Sequence, residues 1–186
     1  MSQNQFKGIS NRGRYLLGIQ ENNEVDFKES LAGLSSDDLV AFANSEGGGA
    51  ILIGVREAKD DKGMQTSIIV GCSVGDEAKM SILNRASSCV PRIPVDVFVE
   101  NLGDRPFLRI EIPEGPSRPH CSSSGTYKTR DDGQNVGIHP RALLAMFVEK
   151  EGDRFFNRFH DATANLQAEI QALREELVEQ RKETGG

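Results

Sequence analysis

A chain of 186 residues, 37% hydrophobic and 27% charged, can bury one sizeable core without covalent staples, and the lack of any apolar run near ~20 residues excludes a bilayer-spanning helix. The net charge of −6 disfavours a protein that coats nucleic acid nonspecifically. Divided at Lys150, however, the chain carries 17 basic against 20 acidic residues before the cut and 5 against 8 after it, which leaves room for a local basic face. Cys72, Cys89 and Cys121 are widely spaced, form no CxxC pair and have no nearby His, so they read as reduced thiols rather than a zinc site. The opening MSQNQFKGISNRGRY has no apolar h-region, so a cytoplasmic location is expected.

Residues 1–12 are polar and without periodicity, and disorder is expected there. Tyr15, Leu16, Leu17 and Ile19 follow, then a turn at Glu21–Asn23 and a short strand in which Val25 and Phe27 alternate with Asp26 and Lys28. SSDDLVAFANSEGGG reads as a helix capped by Ser35 or Ser36, with Asp37 and Asp38 in its positive first turn, Leu39, Phe42 and Ala43 on its inner face and Gly47 ending it. AILIGV, apolar throughout and too short for a helix, reads as a central strand. REAKDDKGM is taken as a hydrophilic turn, TSIIVGC as a strand, and GDEAKMSILNRASSC as a helix with Ala78, Ile82 and Ala86 at helical spacing. PVDVFVEN and PFLRIEIPE form an antiparallel hairpin across Gly103–Asp104, TYKTR is extended, and HPRALLAMFVEK is a helix with Pro140 in its first turn. The expected architecture is α+β over about 13–150, a mixed sheet with flanking helices.

The tail, 151–186, differs in kind. Phe159, Ala162, Leu166, Ile170, Leu173 and Leu177 recur in steps of three and four, giving a long amphipathic helix of roughly 40 Å. So narrow an apolar seam either pairs with a second copy as a coiled coil or packs back on its own domain; a homodimer is the expectation carried forward.

In an extended segment residues two apart share a face, so Glu24, Asp26 and Lys28 are expected to point one way and Val25 and Phe27 into the core. Asp26-Phe27-Lys28 has a (D/E)-x-K form, in which an acid holds a metal and the lysine steadies a phosphate or polarises a water. Glu21, five residues earlier, reaches the same site only if Asn22–Asn23 bends the chain. Such carboxylates suit Mg²⁺ or Mn²⁺ and phosphodiester hydrolysis. By itself the string is short enough to arise by chance on a solvated strand.

Taken together, E-x-x-x-V-D-F-K-E-S, AFANSEGGGAILIGV, RIEIPEG, RPH and GTYKTRDDG make the segment from about Gly18 to Met146 resemble the Schlafen-type AlbA domain, a family described as nucleic-acid-binding and as a divergent AAA domain. In its ribonuclease members three acids serve the metal, and the resemblance carries these onto Glu21, Asp26 and Glu57. Asp26 stands where Glu is usual, and the glycine run before AILIGV is one residue longer than usual.

ATP is not expected: NSEGGG follows a helix and precedes a strand, the reverse of a P-loop, and no G-K-[ST] occurs. His120, His139 and His160 are dispersed and suggest no general base. Arg118, Lys128 and Arg130 could form a phosphate-holding patch, with Tyr127 stacking on a base. The reading carried forward is a nucleic-acid-binding protein and candidate metal-dependent endoribonuclease cleaving structured RNA such as tRNA, with Glu21, Asp26 and Glu57 on Mg²⁺ or Mn²⁺ and Lys28 at the scissile phosphate. The alternatives are a non-catalytic DNA- or RNA-binding regulator and an assembly module.

Overall fold

The computed structural model describes residues 4–59, 61, 63–115 and 117–183, without the side chains of 150, 153, 154 and 176–183. It divides into two compact units, Met1–Leu143 and Leu144–Gly186.

The first unit is the expected α+β domain. Its sheet runs in the order β1 (Val25–Lys28), β2 (Gly49–Ile53), β6 (Phe107–Ile112), β5 (Asp96–Glu100). β1 and β2 are parallel, with Asp26 opposite Ile51, and the remaining pairs are antiparallel. The parallel pair needs a crossover, which α2 (Ser36–Ala43) supplies. Ser35 caps α2: its Oγ accepts from the Asp38 N–H at 3.2 Å, while Asp38 Oδ2 accepts from the Ser35 N–H at 2.7 Å. Aspartate thus fills the capping-box position usually held by Glu or Gln.

The unbroken apolar run of β2 is explained by cover on both faces. Ile51 and Ile53 pack under α2 and α3 (Asp76–Ser87) with Leu39, Phe42 and Ile82. Ala50 and Leu52 face the other way, onto Leu16, Val25, Phe27, Val55 and Phe107.

Several elements depart from the expectations. Residues 4–10, expected to be disordered, run beside β5: the Phe6 N–H donates to the Val99 carbonyl and the Val99 N–H to the Asn4 carbonyl, both at 2.9 Å. Residues 1–3 lie outside the described residues. Ser10 then caps a helix not anticipated, α1 (Asn11–Leu17). The order comes from Glu100, wholly buried on β5, whose carboxylate accepts from Ser10 N–H and Oγ at 2.7 Å each and from Arg109 Nε at 2.9 Å. A buried charge without such partners would be costly.

The stretch taken as a turn after AILIGV is a ribbon instead, β3 (Val55–Lys59) against β4 (Gln65–Ile69). A second ribbon joins β7 (Lys128–Asp131) to β8 (Gln134–Gly137), and Asp132 and Gly133 at its tip have φ of 47° and 75°, as a tight primed hairpin turn requires. The two helices expected near the end are one, α4 (Pro140–Glu183): Gly152, with open space around its Cα, does not interrupt it. Cys72, Cys89 and Cys121 are free thiols, and no helix among the described residues is long and apolar enough to cross a membrane.

Gly49 marks how closely α2 lies on β2. A Cβ there would sit 2.4 Å from the Phe42 ring and 2.7 Å from the Glu24 carbonyl oxygen. Gly49→Ala is expected to destabilise the fold by about 1–3 kcal/mol, as overpacking does, read as a lower urea midpoint at unchanged slope.

Candidate functional site

The site is built where β1 meets the start of α2 and the β7–β8 ribbon. The bend before β1 forms around Asn22, whose Oδ1 accepts from the N–H groups of Glu24 at 2.7 Å and Val25 at 3.1 Å, a local side-chain turn of the kind Asn favours. It brings Glu21 back over the strand, where Oε1 accepts from the Phe27 N–H at 2.5 Å.

Strand alternation then separates the side chains. Val25 and Phe27 enter the core beneath α1, and Asp26 turns to the α2 face, only 4% exposed. Glu24 does not share that face, contrary to the alternation expected of it. It lies one residue before β1 and binds α1 instead, Arg12 Nη1 at 2.6 Å and Tyr15 Oη at 3.0 Å.

Asp26 is surrounded by cations. Lys28 Nζ stands 2.7 Å from its Oδ2 and 3.6 Å from Asp38 Oδ1, and Arg130 Nη1 is 3.9 Å from its Oδ1. Burial works against the Lys28 ammonium, but its hydrogen bond to Asp26 and the fields of Asp26, Asp38 and Glu21 outweigh that and raise its pKa. Lys28 is therefore a fixed positive charge at neutral pH.

Arg130, expected to hold phosphate, is 7% exposed and bound internally. Its Nη1 donates to Asn135 Oδ1 at 2.9 Å, its Nη2 to the Asn22 carbonyl at 2.8 Å, and its guanidinium lies 4.6 Å over the Phe42 ring. It joins the Asn22 bend to the ribbon that faces it. The ribbon is itself seated on the end of α2. Asn44, 2% exposed, donates to the carbonyls of His120 and Lys128 at 2.8 and 2.9 Å and accepts from the His120 N–H at 2.7 Å, and Ser45 Oγ accepts from the Arg130 N–H at 2.9 Å.

Glu57 lies exposed on β3, which leaves from Gly54, whose N–H donates to the Lys28 carbonyl at 2.8 Å. That places its charge within reach of Glu21. Burial pushes the Glu21 carboxyl up, the Phe27 N–H pulls it down, and the field and hydrogen bond of Asp26 with the field of Glu57 carry it from 4.5 to about 7. Glu21 therefore keeps its proton to a higher pH than an isolated glutamate would.

The three acids thus share one field, but among the described residues no group of three or more His, Cys, Asp or Glu side chains is arranged to hold a metal ion. In chemistry Glu21 and Asp26 do suit a hard cation, since Mg²⁺ takes one or two carboxylates and completes its shell with water and phosphate.

Of the expected nucleic-acid contacts, Arg118 pairs with Glu114 at 2.5 Å and Lys128 with Asp37 at 3.1 Å, all four side chains being partly exposed. Tyr127 is half-buried, and a hydrogen bond with Cys121 raises its hydroxyl above the ordinary tyrosine range. In the glycine loop, the Gly47 N–H donates to Glu114 Oε2 at 3.1 Å, and the adjoining cavity is lined by Glu24, Glu46, Asp96, Glu111 and Arg12.

Sequence reasoning missed Asp38 and Asn135, which close the network through Asn135 Nδ2 to Asp38 Oδ1 at 2.7 Å. Asp38 was read only as an acid in the first turn of α2. Asn135 sits on β8, which the Asp132–Gly133 turn signal could have located.

The proton on Glu21 gives a signed pH dependence. A carboxyl with a raised folded pKa binds its proton more tightly than in the unfolded chain, so its contribution is fully present below pH 4.5 and lost as pH rises toward about 7. Urea midpoints of wild type relative to Glu21→Gln, which keeps the Phe27 acceptor, are expected to fall across that window and to run parallel above it.

A family profile described as Schlafen, AlbA_2 matches residues 21–139. No curated protein matches the chain significantly. Among solved structures, the crystal structure of the DIP2311 protein of Corynebacterium diphtheriae is 19% identical with a TM-score of 0.47, covering 67% of this chain and 29% of that one, so this chain corresponds to less than a third of it. The solution structure of the N-terminal domain of a RecG-related DNA helicase protein of Nitrosomonas europaea, named there as ATP-dependent, is 21% identical with a TM-score of 0.48, covering 65% of this chain and 87% of that domain. The profile begins at Glu21 and takes in Asp26, Lys28, Glu57 and both strands of the terminal ribbon, more than half of the chain, and the chain belongs to the Schlafen AlbA_2 family.

Proposed function

We propose that this protein binds nucleic acid and is a metal-dependent endoribonuclease acting on structured RNA such as tRNA, working as a homodimer through its C-terminal helix. Family membership supports the nucleic-acid role. The observation that carries the sharper reading is the half-buried Glu21, raised to about 7 beside the Asp26–Lys28 pair at 2.7 Å. A carboxyl poised near neutrality readily gives up its proton to an arriving cation, which it can then ligate.

Glu21 and Asp26 are the residues to hold Mg²⁺ or Mn²⁺, with Glu57 adding negative field. When bound, such an ion would activate water and neutralise charge on the phosphate. Lys28, held cationic, orients a non-bridging phosphate oxygen. Arg130 acts beneath the site, holding the Asn22 bend. Lys128, Arg118 and Tyr127 are the proposed backbone and base contacts: surface ion pairs are worth only about 0–1 kcal/mol, so Asp37 and Glu114 can yield their partners to phosphates.

A second reading, a non-catalytic DNA- or RNA-binding regulator, is favoured by one specific feature. The Asp26 charge is already met by Lys28 and Arg130.

The two are separated by incubating the protein with total tRNA and Mn²⁺ beside Asp26→Ala and an EDTA control. Cleavage is expected from wild type and a large loss from the variant, which lacks one of the two proposed metal ligands. Equal cleavage by the variant, or none by wild type, removes the nuclease. Independently of turnover, Mn²⁺ is expected to raise the wild-type Tm and to leave Glu21→Gln unmoved. Salt-sensitive binding that survives Asp26→Ala supports the regulator, and no binding to RNA or DNA at low salt leaves an assembly role.

A further inference from the structure

We propose that residues 156–180 of α4 form a parallel, in-register, two-stranded coiled coil with a second copy of this chain. This deepens the dimer reading above and is independent of the nuclease.

The helix presents a seam that its own unit does not cover: Phe156, Phe159, Leu166, Ile170 and Leu173 are 49–69% exposed. Their spacing is heptad. With Phe156 and Ile170 at a, and Phe159, Leu166 and Leu173 at d, the register continues to Leu177 at a, and only Thr163 (a) and Gln180 (d) interrupt it with polar side chains. A β-branched residue at a between leucines at d, as Ile170 lies between Leu166 and Leu173, favours two parallel strands.

The flanking charges choose the direction. Glu169 and Glu176 fall at g, and Arg174 and Arg181 at e. In a parallel pair each g position meets the e position five residues later on the other helix, so Glu169 faces Arg174 and Glu176 faces Arg181 on both sides of the seam. In an antiparallel pair g meets g and e meets e, which sets glutamate against glutamate and arginine against arginine. The same residues gain nothing within one helix, where side chains three or four apart are the neighbours.

Chain order then puts both copies of the amino-terminal unit at the same end of the coil. Two nucleic-acid faces are thereby tethered to one another, which raises the effective concentration of the second contact once the first is made.

Cysteine trapping tests the direction without disturbing the apolar seam. Thr163→Cys and Gln180→Cys, made singly, are each expected to form a disulfide-linked dimer on mild oxidation, while wild type with its Cys72, Cys89 and Cys121 does not. Only parallel, in-register chains place two separate positions opposite themselves. Cross-linking at one position alone, or at neither, overturns the proposal, as does a monomeric wild type in sedimentation at tens of micromolar. Charge reversal supplies a second readout. Glu169→Arg is expected to weaken the dimer by on the order of tenfold, from two pairs made repulsive per dimer, and Glu169→Arg with Arg174→Glu to restore it. Failure of the double variant to recover also refutes the parallel register. Because neither readout involves RNA, the outcome stands apart from that of the cleavage assay.

Discussion

A carboxylate buried on an edge strand governs this domain. Asp26 is 4% exposed, and a charge so placed must find cations or give up its ionisation. Lys28 comes from the same strand, two residues on and therefore on the same face. Arg130 comes from a ribbon more than a hundred residues later, and much of the fold's polar chemistry serves to bring it there. Asn44 and Ser45, at the end of α2, bind the backbone of that ribbon, and Asn135 links the guanidinium to Asp38 at the helix start. The stretch AFANS is thus a joint between the sheet layer and the ribbon. Its asparagine and serine bind the main chain of Ala41, His120, Lys128 and Arg130.

The same economy explains the glycine run after it. Gly47 and Gly48 have φ of 76° and 68°, which an L side chain rarely adopts, and a Cβ on Gly48 would stand 2.2 Å from the Ile112 carbonyl oxygen. These glycines let α2 turn sharply into β2 across the end of β6. The Gly47 N–H is directed to Glu114, and the cavity beside the loop carries Glu24, Glu46, Asp96 and Glu111 among its lining residues.

The legible parts of the sequence were those in which apolar pattern and local chemistry agree. β2 is an unbroken apolar run because both of its faces are covered, α2 begins at a Ser–Asp cap, and the β5–β6 hairpin alternates cleanly. The bend at Asn22 was legible too, since asparagine makes its own turn. What escaped were elements held by distant polar partners. Residues 4–10 carry no periodicity of their own and are ordered by the β5 edge and by Glu100. β3 and β8 offer mostly polar, exposed residues, so alternation gave no signal. Arg130 looked like a surface cation because sequence cannot show that Asn22, Asn135 and the Phe42 ring close around it.

The charge balance of the site constrains how it can work. Lys28 and Arg130 both answer Asp26, whereas Glu21 is half-buried, with a backbone N–H and two like-charged neighbours, and burial above all carries its pKa to about 7. A phosphate backbone entering this field adds negative charge close to Glu21. Two responses relieve that: Glu21 retains its proton more firmly, or a cation arrives with the phosphate and lets the carboxyl ionise. These move the proton in opposite directions, uptake in the first case and release in the second. If the proposed nucleic-acid contact is made here, it is linked to proton exchange whichever occurs, and the sign of that exchange separates a site that merely tolerates phosphate from one built to receive phosphate and metal together.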